Sequence, residues 1–175
     1  EPKTGEILAL VSAPSYDPNL LVGRKRSQNY TMLYNDSIAK PLFDRALLAE
    51  YPPGSTFKPF TALLGLQEGV MTPSSLVSCN GGYRYGNRVM KCHGHASPID
   101  MIHALATSCN AYFAHEYRKI IEKYPTPTQG LTAWAEDLKS FGFGAYLGSD
   151  FPIGRKGYLP DAAFYDRQYG VDGWR

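Results

Sequence analysis

The sequence has 175 residues, of which 43% are hydrophobic and 19% are charged, and its formal net charge at pH 7 is +2. This composition is typical of a folded globular chain and excludes a disordered or fibrous one. The small net charge gives no electrostatic reason to expect nucleic acid as a partner. No apolar run reaches the roughly 18 residues of a membrane-spanning helix. Three cysteines are too few for a disulfide scaffold but enough for a metal site.

The first 54 residues contain one short apolar run and no long periodic pattern. The run Ile7–Ser12 lies between a glycine and a proline, which predicts a buried strand within a hairpin region at residues 1–14. It is the one convincing strand signal of the chain. Residues 15–54 are expected to form an irregular connection that ends in a rigid turn at Pro52-Pro53-Gly54.

Helices are predicted in the middle of the chain from apolar periodicity and from start and stop signals. They are expected at about 55–68, from 97 onward, at about 111–124 and at about 131–141. Ser97, Pro98 and Asp100 indicate the start of the second helix, as N-cap, first helical residue and capping-box partner. Residues 70–96 are expected to form a glycine-rich loop, and the tail from Gly144 a loop or edge strand.

The tetrapeptide Ser55-Thr56-Phe57-Lys58 has the spacing of a nucleophile and its base. A serine hydroxyl attacks only when a base takes its proton, and a lysine three positions later on a helix lies one turn away on the same side. Lysine acts as a base when burial or nearby cations lower its pKa. A helix N-terminus at Ser55 would also stabilise an oxyanion. Alone, the pattern equally fits a helix cap followed by a surface lysine.

The longer stretch Tyr51-Pro-Pro-Gly-Ser-Thr-Phe-Lys-Pro-Phe60 resembles the active-site motif of penicillin-binding transpeptidases. Ser108-Cys109-Asn110 resembles their second motif, Ser-x-Asn. Further stretches resemble the class B, elongation-type members, at residues 3–19, 154–160 and 169–174. The resemblance implies an α+β fold shared with serine β-lactamases, in which helices cover both faces of an antiparallel sheet. This chain would be mainly the helical subdomain, residues 55–143, with most of the sheet missing.

The third family motif, a Lys-Thr-Gly strand, normally follows the second motif. Lys3-Thr4-Gly5 precedes both other motifs and has turn chemistry, so the true strand is expected beyond Arg175. Residues 144–175 would connect to the missing strands, and the chain would be inactive alone. The parent protein would act at the periplasmic face of the bacterial inner membrane, anchored by a segment upstream of Glu1.

The resemblance also implies roles for the motif residues. Ser55 would attack the D-Ala-D-Ala carbonyl of a peptidoglycan stem peptide with Lys58 as base, Ser108 would relay a proton to the leaving amine, and Asn110 would hold Lys58 and bind substrate amides. Elongation-type members often have aspartate in place of this asparagine. β-Lactams would trap the acyl-enzyme, and a membrane glycan polymerase of the elongation machinery would be a partner. A serine β-lactamase or β-lactam sensor is the alternative with the same nucleophile and base.

The cysteines and nearby histidines indicate a second type of site. Cys79, Cys92, His95 and Cys109 would form a closed Cys3His zinc site of the structural kind, with His93 as the reserve ligand. The resemblance supports this site, since some elongation-type relatives carry a zinc in this region with ligands in a similar order. The ion would tie the glycine-rich loop to the second motif. A Cys79–Cys92 disulfide and buried thiols without a metal are the alternatives. A zinc-stapled structural module without catalysis is a further functional alternative.

Overall fold

The structure is a computed structural model that describes residues 1–146, 148, 151 and 153–170. The chain divides into two compact units. The first consists of Glu1–Tyr51 and the described part of 146–156. The second begins with Pro52–Ala145 and continues from Gly157. None of the described helices has the length and apolar character that crossing a membrane requires.

The first unit contains a 3-10 turn at Pro18–Leu21 and two helices, α1 at Arg26–Asn35 and α2 at Arg45–Leu48. The strand predicted at Ile7–Ser12 is wrong, because this segment pairs with no strand among the described residues and its apolar side chains are exposed. A strand needs a neighbour that satisfies its backbone N–H and C=O groups. Instead, the Ser12 hydroxyl accepts a hydrogen bond from the Arg45 N–H at 2.8 Å.

The second unit contains an antiparallel hairpin where the sequence predicted only loop. Strands β1 (Gly82–Tyr85) and β2 (Arg88–Lys91) are joined by Gly86 and Asn87, and Gly86 adopts a φ of 55°. A glycine–asparagine pair between two short runs is a hairpin signal, because such turns require positive φ. The signal was missed because β2 is exposed along its whole length, so its sequence lacks an apolar alternation.

The helix that carries the nucleophile motif is confirmed with one difference in its first turn. Gly54–Phe57 form a 3-10 turn, and α3 follows at Lys58–Gln67. Pro59 lies in the first turn of α3, where its missing N–H leaves no helical hydrogen bond unmade. The helix begins at Lys58, so the lysine of the motif is fixed by regular helical backbone while the serine lies in the tighter turn before it.

The second predicted helix begins later than expected, at Met101–Ala106 (α4). The N-cap is Asp100, whose carboxylate accepts from the His103 N–H at 2.9 Å. The prediction of Ser97 as N-cap is wrong, because its hydroxyl accepts from the Cys79 N–H. Ile99 then forms an isolated antiparallel bridge with Val77, so residues 97–99 are extended.

The remaining helices are α5 at Asn110–Glu122, α6 at Pro127–Ser140 and α7 at Ala162–Tyr169. The prediction of α5 is confirmed within two residues at each end. Helix α6 begins four residues earlier than predicted, because Thr126 and Gln129 form a capping box around Pro127. The loop prediction for the tail is wrong over α7, which has no buried residue and therefore no strong apolar pattern.

Helix α5 lies at the centre of the second unit and contributes to two buried clusters. One cluster joins its first turns to α4 and the segment before the hairpin, and it includes Cys79 and Cys109. The other joins its second half to α3 and α6 around Trp134 and a fully buried Leu138. The first cluster therefore anchors the N-terminus of α5, which carries the second motif, and the second cluster anchors the rest of the helix.

Candidate active site and cysteine cluster

The two sequence motifs meet in the second unit. Ser55 lies in the 3-10 turn that precedes α3, and Lys58 is the first residue of α3. Ser108 and Asn110 lie on either side of Cys109, which is the N-cap of α5. The structure brings all four predicted catalytic side chains together, although about fifty residues separate the motifs along the chain.

The Lys58 ammonium is the centre of this group. Its Nζ donates to Ser55 Oγ at 3.2 Å, to Ser108 Oγ at 2.8 Å and to Asn110 Oδ1 at 2.7 Å. The Ser108 carbonyl oxygen, 2.6 Å from Nζ, is a fourth acceptor, so the three ammonium hydrogens are shared among four oxygens. The Ser108 hydroxyl donates to Ser55 Oγ at 2.9 Å. The Ser55 hydroxyl is therefore hydrogen-bonded to both Lys58 Nζ and the Ser108 hydroxyl. These contacts form a short path along which a proton can pass between the three side chains.

The surroundings of Lys58 have opposing effects on the pKa of its ammonium group. Burial lowers the pKa of the Lys58 ammonium, while negative charge on Cys92 and Cys109 opposes that shift. The ring of Phe113 lies 5.9 Å from Nζ and adds a cation–π attraction to the charged form. A neutral amine at this position has the Ser55 hydroxyl within hydrogen-bond reach, which is the geometric requirement for a general base.

A second group of four side chains converges next to the catalytic group and includes Cys109, the central residue of the second motif. The ligand atoms of Cys79, Cys92, His95 and Cys109 all lie within 4.8 Å of one another. Cys92 Sγ is 4.0 Å from Cys109 Sγ and 3.6 Å from His95 Nε2. All three cysteines are free thiols, so the disulfide considered from the sequence is not formed. His93, the reserve ligand, lies outside this group of four.

The geometry of this cysteine cluster fits a tetrahedral metal. Zinc–ligand bonds of 2.0–2.3 Å place neighbouring ligand atoms about 3.7 Å apart, close to both distances at Cys92. His95 Nδ1 donates to the Ala96 carbonyl at 2.7 Å, which leaves the Nε2 lone pair facing the sulfurs. Burial alone raises the pKa of the Cys92 thiol, but hydrogen bonds, led by the Asn110 N–H, lower it to about 6. These residues can hold a metal ion.

Backbone groups that the sequence does not reveal complete the site. The side-chain Nδ2 of Asn110 donates to the Lys91 carbonyl at 3.0 Å, and this orients the side chain with its Oδ1 towards Lys58. His93 Nε2 donates to the Thr107 carbonyl, one residue before the second motif. Backbone carbonyls occur at every position, so no residue type could have indicated these contacts.

A comparison with family models gives one match over residues 1–173, to the transpeptidase domain of penicillin-binding proteins. The chain therefore belongs to the penicillin-binding protein transpeptidase domain family. The expected fold class, a mainly helical piece of this α+β fold, is confirmed. The expected resemblance to the penicillin-binding protein 2 type is confirmed by the individual relatives.

Peptidoglycan D,D-transpeptidase MrdA of Acinetobacter baumannii is 36% identical over 167 residues, which cover 92% of this chain and 23% of that protein. Penicillin-binding protein 2 of Pseudomonas aeruginosa, solved in complex with WCK 5153, superposes with a TM-score of 0.73 at 34% identity and covers 95% of this chain and 37% of that one. An imipenem acyl-enzyme of penicillin-binding protein A from M. tuberculosis gives 0.59 at 35% identity, over 68% and 29%. The chain spans about a quarter of the length of such curated relatives.

Proposed function

We propose that this chain carries the nucleophile of a peptidoglycan D,D-transpeptidase and that Ser55 forms the acyl-enzyme. The main support is the Ser55 hydroxyl, which lies within hydrogen-bond distance of both Lys58 Nζ and the Ser108 hydroxyl. In the reaction, Ser55 Oγ attacks the carbonyl carbon of the D-Ala-D-Ala bond in a stem peptide, and free D-alanine leaves as its amine gains a proton. The amine of a second stem peptide then displaces Ser55 and forms the crosslink.

The groups around Ser55 are each placed for one step of the acyl transfer. A neutral Lys58 takes the Ser55 proton, and Ser108 passes a proton to the departing amine through its own hydroxyl. The Ser55 N–H lies in the first turn before α3, where backbone donors favour the developing oxyanion. Asn110 keeps Lys58 in place with its oxygen. The helical region 55–143 holds all of these groups.

A β-lactam has the reactive amide of the same substrate and should acylate Ser55, so a fluorescent penicillin reports the reaction directly. In the whole protein, we expect wild type to be labelled and Ser55→Ala to show no labelling. Ser140→Ala is the matched control, since this exposed hydroxyl donates to the Asp137 carbonyl within its own helix α6. Persistent labelling of Ser55→Ala would contradict the nucleophile assignment and favour a structural module without catalysis.

The lifetime of the labelled enzyme separates transpeptidase from β-lactamase. A transpeptidase is expected to lose bound penicillin slowly, because the acyl-enzyme normally awaits an amine and not water. Similarity to the MrdA and penicillin-binding protein 2 relatives over most of the chain supports the transpeptidase. Fast release with turnover of penicillin would overturn this choice.

We further propose that Cys79, Cys92, His95 and Cys109 bind a structural zinc ion. Three thiolates and one imidazole make a closed tetrahedral set that leaves no position for a reacting water, so the ion would stabilise the fold and take no part in acyl transfer. Elemental analysis of the whole protein is expected to find zinc in wild type and much less in Cys79→Ser. Zinc-free protein with intact thiols would contradict the proposal.

We propose peptidoglycan stem peptides as substrates, β-lactams as inhibitors and the periplasmic face of the inner membrane as the place of action. A membrane glycan polymerase of the elongation machinery is the proposed partner. The support is the similarity to cell-wall transpeptidases. Co-purification of the polymerase with the whole protein tests the partner, and its absence under mild detergent extraction would contradict it.

A further inference from the structure

The backbone of Ser108 adopts a conformation that few residues other than glycine occupy. Its φ is 55°, in the left-handed region, and this places its side chain towards Ser55. Such a residue is strained, by of order 1–3 kcal/mol, and persists only where its surroundings fix it. The groups that hold the two peptide units on either side of Ser108 are therefore part of the site.

The peptide unit after Ser108 is held at both ends. Its carbonyl oxygen accepts from Lys58 Nζ at 2.6 Å, and its N–H, which belongs to Cys109, donates to the Ala104 carbonyl at 2.9 Å. Both partners lie in helices α3 and α4. These contacts fix ψ of Ser108, because ψ is the rotation of this peptide unit about the Cα–C bond.

The peptide unit before Ser108 is also held at both ends, and one of its partners is a side chain without an assigned role. The Ser108 N–H donates to the Leu105 carbonyl at 3.1 Å. On the other side, the Thr107 carbonyl accepts from His93 Nε2. The orientation of this unit sets φ of Ser108. His93 lies two residues after the end of β2, so this imidazole is one of the links between the hairpin and the second motif, beside those that Lys91 and Cys92 make with Asn110.

We propose that His93 is a positioning residue for acyl transfer, which deepens the proposed function and rests on it. By donating to the Thr107 carbonyl, His93 holds the peptide unit that keeps φ of Ser108 positive. The Ser108 hydroxyl then stays 2.9 Å from Ser55 Oγ. The side-chain hydrogen bond of His93 goes to the Thr107 carbonyl and not to Ser55, Lys58 or the Ser108 hydroxyl, and the cysteine cluster is complete without it.

Three substitutions in the whole protein test this role. His93→Phe keeps the ring but removes the donor, His93→Asn has an amide too short to reach, and His93→Gln places an amide N–H near the former Nε2. We expect the first two to lower the acylation rate constant at saturating fluorescent penicillin by roughly ten-fold. His93→Gln should recover most of that rate. The dissociation constant of the complex before acylation should stay unchanged.

The controls separate positioning from folding and from metal binding. His103→Gln removes an exposed imidazole on α4 whose hydrogen-bond partner among the described residues is Asp100, and it should acylate like wild type. Zinc content and melting temperature should be unchanged in His93→Gln. Wild-type acylation rates in both His93→Phe and His93→Asn would overturn the inference, as would equal loss in all three variants. Absence of acylation in wild type would instead remove the proposed function, and the inference with it.

Discussion

The contact between α3 and α5 contains two ionisable side chains in opposite situations. Near one end, Lys58 lies among four oxygen acceptors, all within 3.2 Å. Further along, Glu116 is completely buried against Gly65, and neither carboxylate oxygen has a hydrogen-bond partner among the described residues. The same helix pair therefore holds one charge that is surrounded by acceptors and one carboxyl group that has none.

The difference shows what partners do for a buried ionisable group. Burial lowers the pKa of Lys58, yet its oxygen neighbours still hold the ammonium in one place. Burial raises the pKa of Glu116 to about 7, and no other group adds to or opposes that shift. Lys58 is an ammonium group that oxygen acceptors hold in place, whereas Glu116 is a carboxylic acid that the fold tolerates in its neutral form.

The largest expected effect is at Lys58. Lys58→Ala in the whole protein should lower the acylation rate with fluorescent penicillin by roughly 10³-fold or more, because the base and the group that orients both serines are lost together. Lys139→Ala is the control, since this exposed lysine pairs with Glu136 on its own helix α6 and with no other carboxylate in the part of the chain that the structure describes. A loss below ten-fold would show that another group takes the Ser55 proton.

The next effect concerns stability at the other position. Glu116→Gln should stabilise the protein at pH 8 by roughly 3 kcal/mol, because folding no longer has to neutralise or bury a carboxylate. The folded pKa of Glu116, about 7, exceeds the ordinary value of 4.5, so the unfolded state loses this proton first as the pH rises. Chemical denaturation between pH 4 and 8 gives the free energy of unfolding for both proteins.

The sign of this pH dependence is fixed by the direction of the pKa shift. Below pH 4.5 the carboxyl is neutral in both states and costs nothing extra. Between pH 4.5 and 7, wild type should lose about 1.4 kcal/mol per pH unit relative to Glu116→Gln, and above pH 7 the difference should be constant. A difference that does not change with pH would mean that Glu116 has a partner for its charge.

The smallest expected effect tests the packing around Glu116. A Cβ on Gly65 would lie 2.0 Å from Glu116 Oε1, so Gly65→Ala should destabilise the protein by roughly 1–3 kcal/mol. Combining it with Glu116→Ala should recover part of that loss, because the added methyl group then enters the vacated space. Strictly additive losses in the double variant would indicate that the two residues do not compete for the same volume.

The sequence predicted the side chains of the site better than the secondary structure that holds them. Ser55 and Lys58 could be paired because helical spacing relates them directly, and Ser108 and Asn110 could be added because a resemblance covers both motifs. The cysteine cluster was predicted because three thiols and an imidazole are the residue types of a closed zinc site, although the sequence left a disulfide and buried thiols as alternatives. In each of these cases the side chain itself carries the information.

The hairpin, the later start of α4 and helix α7 escaped prediction for a different reason. Their residues are mostly exposed or are held by backbone contacts, so apolar periodicity was weak. Ser97 is a residue type that favours the N-cap position, but its hydroxyl accepts a hydrogen bond from the Cys79 N–H instead. The sequence does not indicate that Glu116 is buried, because a glutamate on a helix is normally exposed to solvent.

The hairpin region has a consequence for local opening of the fold. Residues 80–96 contribute no fully buried side chain, and the segment is held by Cys92 and His95 in the cysteine cluster and by Tyr83 and Tyr85 against α5. Segments of this kind open as separate units, with a free energy well below that of global unfolding. Because Cys92 and His95 lie in this segment and Cys109 lies in the second motif, opening of residues 80–96 would also take the cysteine cluster apart.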